Sequence, residues 1–571
     1  MNFKDIIHQP KLRLQSPISL QTPDSHPRSP MISCVFHQIT PEELADQNKK
    51  LIFDPFSPVA DLSNEDPKFS GDFESGNIGQ VFKIGKNKYE IHLIPDPNEQ
   101  KTCQWFFFKV KNLVPGDYIF VLAGFYRQCN LHYKGSQICC LSENKRKQGV
   151  GWQRIGDDMN FFKWKNGKYS EWALSFKFNV EENDTMYFAH SYPYTYTDLM
   201  NCLNELKPLC LPSNLCKSFG GIDVPCIFWD ADEKKCVDIN NFLKECDNFT
   251  HEPPIIRDEE ISEFSQYIID KLKQWGKKNL KDGIKHNKKP VFVIAARIHP
   301  GEANSSYAME GLLRTIFAKN ECGEQMRKYS WLIIPMMNPD GVICGFYRPS
   351  LSCDDMNRVW RNPEPHNHII AYNILNLLTV IQKTYPIPFF LDFHGHTAAC
   401  NSFVYGFMND NNPNLYKSER IFPLLMTKHS QLFSNEMCSY LKQEDYEGTM
   451  RVVLRRKFLI LFSYTLEMSF GGSDFGPRKG TQFTPHDFRS IGEATALSIN
   501  ELFTNHTTIA SNETFKLMPF PEITKQSELI TNNSRVTIQE NSDHKTHYFS
   551  FGAADITTAP PEEINLVLNQ K

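Results

Sequence analysis

The 16 cysteines include no Cys-x-x-Cys pair. That excludes the common thiolate zinc site and leaves reduced, mostly buried thiols as the expectation. No apolar run approaches the roughly 18 residues that a membrane span needs, and the opening stretch MNFKDIIHQPKLRL carries no signal-peptide core. A soluble, cytoplasmic chain without a membrane partner is the expectation. Charge of one sign is not in excess either, since 62 Lys and Arg face 66 Asp and Glu for a net charge of −4. A general nucleic-acid binder is thereby excluded, and any acidic substrate has to be met by a local basic group. Internal repeats are missing as well; the even spacing of Cys216, Cys226, Cys236 and Cys246 has no accompanying pattern.

What the sequence does have is aromatic and aliphatic mass: 43 Phe, 21 Tyr and a 40% hydrophobic share, enough for a large core. At 571 residues, two or three folded units are expected. Residues 1–66 include SPISLQTPDSHPRSP, which has little to bury and breaks regular structure, so a flexible extension is expected there. From 67 to 185 short aromatic and β-branched runs (KYEIHLIP, QWFFFKV, YIFVLAGFY, WALSFKF, MYFAH) alternate with turn clusters, which predicts an antiparallel β-sandwich. From 186 to 508 strand-like runs (VFVIAARI, WLIIPMM, IPFFLDF, KFLILFSYTLEM) alternate with helical ones (EFSQYIIDKLKQW, YAMEGLLRTIFAK), which predicts an α/β domain. A polar tail, 509–571, completes the chain.

In α/β folds chemistry gathers where strands end. After VFVIAARI comes His299-Pro300-Gly301-Glu302, an imidazole and a carboxylate on one tight turn. At the end of another strand stands Asp392-Phe393-His394-Gly395-His396, so two His and one Glu could share an ion with one position left open. Strand alternation puts His394 and His396 on one face, and spacing alone leaves open which is the ligand. Asp392 shares that face and is suited to orient an imidazole. Asn338-Pro339-Asp340-Gly341 reads as a turn. Arg348, Asn357 and Arg358 supply the fork-like donors that carboxylates and carbonyls require. Glu467, inside the apolar run Tyr464 to Phe470, is costly unless paired or functional.

These motifs resemble the cytosolic carboxypeptidases, a branch of the zinc carboxypeptidase superfamily that includes tubulin deglutamylases. The resemblance rests on ARIHPGE, NPDGV, GFYRPSL, DDMNRVW, LDFHGH and YTLEMSF, and in the sandwich on FESGNIGQV, QWFFFKV, GWQRIG and AHSYPYTYTDL. It implies a zinc carboxypeptidase-like catalytic domain with a mixed central sheet and flanking helices behind the β-sandwich. It implies one Zn2+ held by His299, Glu302 and His394, a general base at Glu467, and Arg348 as oxyanion stabiliser. Asn357 and Arg358 would clamp the substrate's terminal carboxylate. Arg451, in Gly448-Thr449-Met450-Arg451-Val452-Val453, would read a terminal Glu side chain, the alternative being that Arg451, Arg455, Arg456 and Lys457 form a solvated basic run that steers acidic tails, and Tyr446 would close over substrate. Acidic protein C-terminal tails, tubulin and microtubules among them, are the implied partners, with a cytoplasmic, microtubule-linked or ciliary location. Two departures stand out: Thr397-Ala398-Ala399-Cys400 replaces a basic pair, and GFYR replaces GNYR. The competing readings are a scaffold that binds acidic tails without cutting them and an N-acyl amino acid deacylase.

Overall fold

A computed structural model describes residues 49–59, 66–98, 102–126, 130–166, 169–244, 288–407, 413–440 and 446–504. The expected helix EFSQYIIDKLKQW, the tail 509–571 and residues 1–48 lie outside the described residues.

The first half of the chain forms two facing sheets. One runs Lys50–Phe53, Val81–Gly85, Lys88–His92, Gly116–Phe125, Tyr169–Val180, Asp157–Asn166; the other runs Lys68–Ser70, Phe107–Leu113, Asp184–Ala189, Ile138–Ser142, Gln153–Ile155. The pairing is antiparallel except between Lys88–His92 and Gly116–Phe125. Alternation along the strands sends Tyr89, Ile91, Phe120, Leu122, Phe176 and Phe178 inward from one sheet against Phe106, Phe108, Val110 and Phe188 from the other. Two boundaries differ from expectation. Lys50–Phe53, within the segment read as an extension, pairs with Val81–Gly85, because its Ile52 reaches the core. Asp184–Ala189 belongs to the second sheet, so the sandwich extends past 185.

The second half is built on a mixed eight-stranded sheet in the order Ser213–Lys217, Asp223–Asp230, Ser330–Ile334, Val291–Ala296, Phe389–His396, Phe462–Ser469, Ser402–Tyr405, with Lys235–Cys236 paired to Asp223–Asp230. The four strands from Ser330–Ile334 to Phe462–Ser469 are mutually parallel. Both faces of this part are covered. Phe292, Ile294, Phe389, Leu391, Phe462 and Tyr464 pack beneath the helices Ala303–Ile316 and Pro485–Thr504. Val291, Val293, Ala295 and Phe390 pack beneath Ile369–Ile381 and Met450–Phe458. That double cover explains why the parallel strands read as continuous apolar runs. The run KFLILFSYTLEM is divided: Lys457 and Phe458 end a helix, Leu459 turns the chain at φ 55°, and the strand starts at Phe462.

The helix Ala303–Ile316 follows directly on the turn that carries His299 and Glu302, and it crosses Pro485–Thr504 at glycines. A Cβ on Gly492 would stand 1.8 Å from the Ala308 carbonyl oxygen, and one on Gly311 would stand 2.0 Å from that of Arg489. Gly492→Val should therefore destabilise the fold by about 1–3 kcal/mol through overpacking, seen as a lower denaturation midpoint. An unchanged midpoint would contradict this close crossing.

Candidate active site

The parallel register determines which side chains meet. On Phe389–His396 the residues Phe389, Leu391 and Phe393 point into one core, which turns Asp392 and His394 to the opposite face. On Phe462–Ser469 the residues Tyr464, Leu466 and Met468 do the same and leave Glu467 beside His394, its register partner. Gly395 between the two histidines is required by close approach, since a Cβ there would meet Asn304 Oδ1 at 2.4 Å.

The neighbouring strand Val291–Ala296 ends at Arg297, whose positive φ of 62° breaks the strand direction. Its buried guanidinium donates to the carbonyl oxygens of Pro300 at 2.8 Å and Tyr194 at 3.0 Å and to Ser306 Oγ at 2.9 Å, pinning the turn that carries His299 and Glu302. The Gly301 amide donates to the Tyr347 carbonyl at 2.8 Å, which ties this turn to the arginine-bearing loop. Asn338 and Gly341 of NPDG are structural: Asn338 caps the helix Pro339–Cys344, and a Cβ on Gly341 would strike Pro300 at 2.7 Å.

His299, Glu302 and His394 converge, with one potential ligand atom of each within 4.8 Å of the others. His299 Nδ1 lies 2.7 Å from Glu302 Oε1, and His394 Nδ1 lies 3.1 Å from Glu302 Oε2. The opposite ring nitrogens face carboxylates: His299 Nε2 is 3.2 Å from Asp355 Oδ1, and His394 Nε2 is 2.7 Å from Asp392 Oδ2. An Nε2–H shared with each aspartate leaves the two Nδ1 lone pairs aimed at a common point, the arrangement a divalent metal needs. The charges agree. Burial opposes ionisation of Glu302, yet His299 and His394 hold its carboxyl well below the usual range. Burial likewise opposes a charged His394, yet Asp392 and Glu302 push it well above its ordinary value, so the pocket favours added positive charge. His396 faces elsewhere: its Nδ1 accepts from the amides of Ala398 and Ala399 at 3.2 and 2.8 Å, which closes the turn after the strand.

The other expected residues surround this centre. Glu467 Oε2 is buried without a hydrogen-bond partner, and desolvation pushes the carboxyl up to about 7. Asn357 Nδ2 lies 3.5 Å from His394 Nε2, while Asn357 Oδ1 accepts from the Met450 amide at 3.0 Å. Arg358 is exposed and lies over the Tyr446 ring at 5.2 Å. Arg348 is held by Asp355, with Nε and Nη2 at 2.9 and 2.8 Å from Oδ2. Arg451 is buried, donates to the Gly406 carbonyl at 2.8 Å and stacks on Phe407; the Ser463 hydroxyl donates to the Arg451 carbonyl. Ser463 lies on the face that carries Glu467, about 13 Å back along the strand at about 3.3 Å per residue. Arg451, Arg455, Arg456 and Lys457 are therefore no solvated basic run. Arg455 pairs with buried Glu419, and Lys457 is buried.

Three positioning groups were not assigned from sequence. Asp355 bridges His299 and Arg348, and its one available signal was an acid two residues before Asn357. Arg297 carried no signal beyond a charge within an apolar stretch. Asp96, in the sandwich, accepts from the backbone amides of Tyr347 and Arg348 and had none.

Fold and site together define a zinc carboxypeptidase domain: residues 270–498 match the family described as zinc carboxypeptidase. Residues 69–191 match the cytosolic carboxypeptidase N-terminal domain. The chain belongs to the cytosolic carboxypeptidase family. Cytosolic carboxypeptidase 3 of Bos taurus is 31% identical over 446 residues, covering 77% of this chain and 40% of the relative. Cytosolic carboxypeptidase 2 of Homo sapiens is 30% identical over 440 residues, covering 74% of this chain and 43% of the relative. The chain thus spans about two fifths of the length of these two relatives. A metallo-carboxypeptidase from Burkholderia cenocepacia shares the fold at TM-score 0.56 and 16% identity, over 77% of this chain and 99% of that one.

Asp392→Asn keeps the shape but loses the charge that orients His394. It should weaken zinc affinity on the order of 10–100-fold in a chelator competition; unchanged affinity would contradict the orienting role.

Proposed function

We propose that this protein is a zinc-dependent carboxypeptidase that removes C-terminal residues, glutamates above all, from acidic protein tails. The observation that carries the reading is the meeting of His299, Glu302 and His394 at one point with Glu467 on the adjoining strand. The residues fit the metal: two neutral imidazole nitrogens and one carboxylate, each oriented from behind, form a ligand set that leaves a position open. A zinc ion held there supplies Lewis acidity, lowering the pKa of water and polarising the scissile carbonyl.

The chain's own groups do the rest. Glu467 accepts the proton of the attacking water and returns it to the leaving amine; its unpartnered Oε2 and a pKa displaced upward toward neutrality suit a group that cycles between both forms. Arg348, held in orientation by Asp355, stabilises the oxyanion that develops on the carbonyl. Asn357 and Arg358 hold the terminal carboxylate, which makes the enzyme an exopeptidase, and Tyr446 beside Arg358 covers the bound end. Arg451, a cation held inside the domain, reads the terminal side chain; its burial pulls its pKa down to about 10, so a substrate carboxylate would relieve an unfavourable desolvation. Tubulin is a fitting substrate, and the cytoplasm, with microtubules or cilia, is the fitting location, because its tails are acidic and the relatives are named cytosolic.

Three outcomes test these assignments. His299→Ala or His394→Ala should release zinc and abolish turnover, whereas full zinc occupancy in His394→Ala would shift the ligand to His396. Glu467→Gln should keep zinc and substrate binding but lose most turnover, since an amide accepts no proton. In the wild type kcat/KM should fall as pH drops through the Glu467 pKa, which burial raises and the positive charge of a bound cation lowers. A variant with near-normal turnover and the same acid limb would remove Glu467 from the mechanism. Arg451→Ala should cripple cleavage of terminal Glu while sparing terminal Leu or Phe, at low and high salt alike. Equal loss on every peptide would refute the pocket role.

A further inference from the structure

We propose that Asp96, on the β-sandwich, is a positioning residue for Arg348 of the catalytic domain. The inference rests on the reading of Arg348 as the oxyanion group. Asp96 is buried, and its two carboxylate oxygens are directed at consecutive amides of the catalytic loop: Oδ1 accepts from Tyr347 N at 2.8 Å and Oδ2 from Arg348 N at 3.1 Å. The carboxylate is itself oriented, because Thr102 Oγ1 donates to Oδ2 and Asp96 N donates to the Thr102 carbonyl. Other sandwich groups grip the same loop. Ser75 N donates to the Ile343 carbonyl at 3.0 Å, and Asn77 Nδ2 donates to the Gly345 carbonyl at 2.9 Å. Gly345, at φ 73°, lies so close that a Cβ would meet the Gly76 carbonyl oxygen at 2.5 Å.

The geometry gives Arg348 two fixed ends. Asp96 holds its backbone, and Asp355, which also touches His299, holds its guanidinium. The Tyr347 carbonyl, one residue earlier, accepts from Gly301 of the metal turn. Through the Asp96 carboxylate, beside Ser75 and Asn77, the sandwich therefore holds the distance between the metal turn and the cation that meets the developing charge. Preorganisation of this kind is steep, since a misplacement of about 1 Å costs on the order of 100-fold in rate. Asparagine cannot replace Asp96: it offers one acceptor oxygen, and its NH2 group would oppose a second backbone N–H.

The test uses the full zinc-loaded chain and a peptide ending in free Glu. Asp96→Asn should lower kcat by about 10–100-fold with KM within about 2-fold and zinc content intact. Thr102→Val, which keeps the charge but frees its orientation, should lower kcat in the same direction by a smaller factor. In an Arg348→Ala background, Asp96→Asn should cost less than about 2-fold further, because there is no longer a guanidinium to place. The proposal is overturned if Arg348→Ala costs kcat but Asp96→Asn and Thr102→Val do not. It is equally overturned if the Asp96→Asn loss is as large in the Arg348→Ala background, or appears as lost zinc. If Arg348→Ala itself leaves kcat unchanged, the oxyanion reading fails and this inference with it, while the zinc and Glu467 assignments stand.

Discussion

The parallel pairing of Val291–Ala296, Phe389–His396 and Phe462–Ser469 is the constraint on which the site depends. Parallel strands end at one edge of a sheet, so His299, His394 and Glu467, far apart in sequence, arrive at the same edge. Alternation then selects the face, and the helix packing beneath holds the edge rigid. A one-residue slip between Phe389–His396 and Phe462–Ser469 would turn Glu467 into the apolar core and a leucine or methionine towards His394. Burial of Phe389, Leu391, Tyr464 and Leu466 on the other face is what forbids that slip.

Around this edge the charges form a chain in which each member is held by the next. Arg348 is fixed by Asp355, Asp355 meets His299, His299 meets Glu302, and Glu302 meets His394, which Asp392 orients. Burial opposes charge on Asp355, yet Arg348 and His299 hold it well below the usual carboxylate range. Such a network is stable only while complete, because removal of one partner leaves an uncompensated buried charge. Glu467 stands outside these pairs, its Oε2 buried and, like Asp392 Oδ1, without a hydrogen-bond partner.

Much of this was legible in the sequence because strand-end motifs are local. HPGE, LDFHGH and YTLEMSF each place a polar group where an apolar strand stops, and their family resemblance supplied the roles. The choice between His394 and His396 was not legible from alternation, since both share a face; the turn that His396 closes with Ala398 and Ala399 separates them. Arg451 stands in a dense run of basic residues in the sequence, which leaves a pocket and a solvated surface both open; on the helix Met450–Phe458 it is buried. Asp355, Arg297 and Asp96 act through contacts with residues distant in the chain, and no local pattern marks such contacts. The edge strand Lys50–Phe53 was hidden for the same reason: four residues gain their order from a partner sheet.

The most direct measurement of the central claim compares two peptides that differ at one group, a free C-terminal carboxylate and its amide, each ending in glutamates. The purified zinc-loaded chain is incubated with each, with and without chelator, and the products are weighed by mass spectrometry. Stepwise loss of terminal glutamate from the free acid alone, abolished by chelator, is the predicted result. Equal cleavage of the amide, cleavage at an internal bond, or undiminished cleavage in chelator would contradict a zinc exopeptidase built on His299, Glu302, His394 and Glu467.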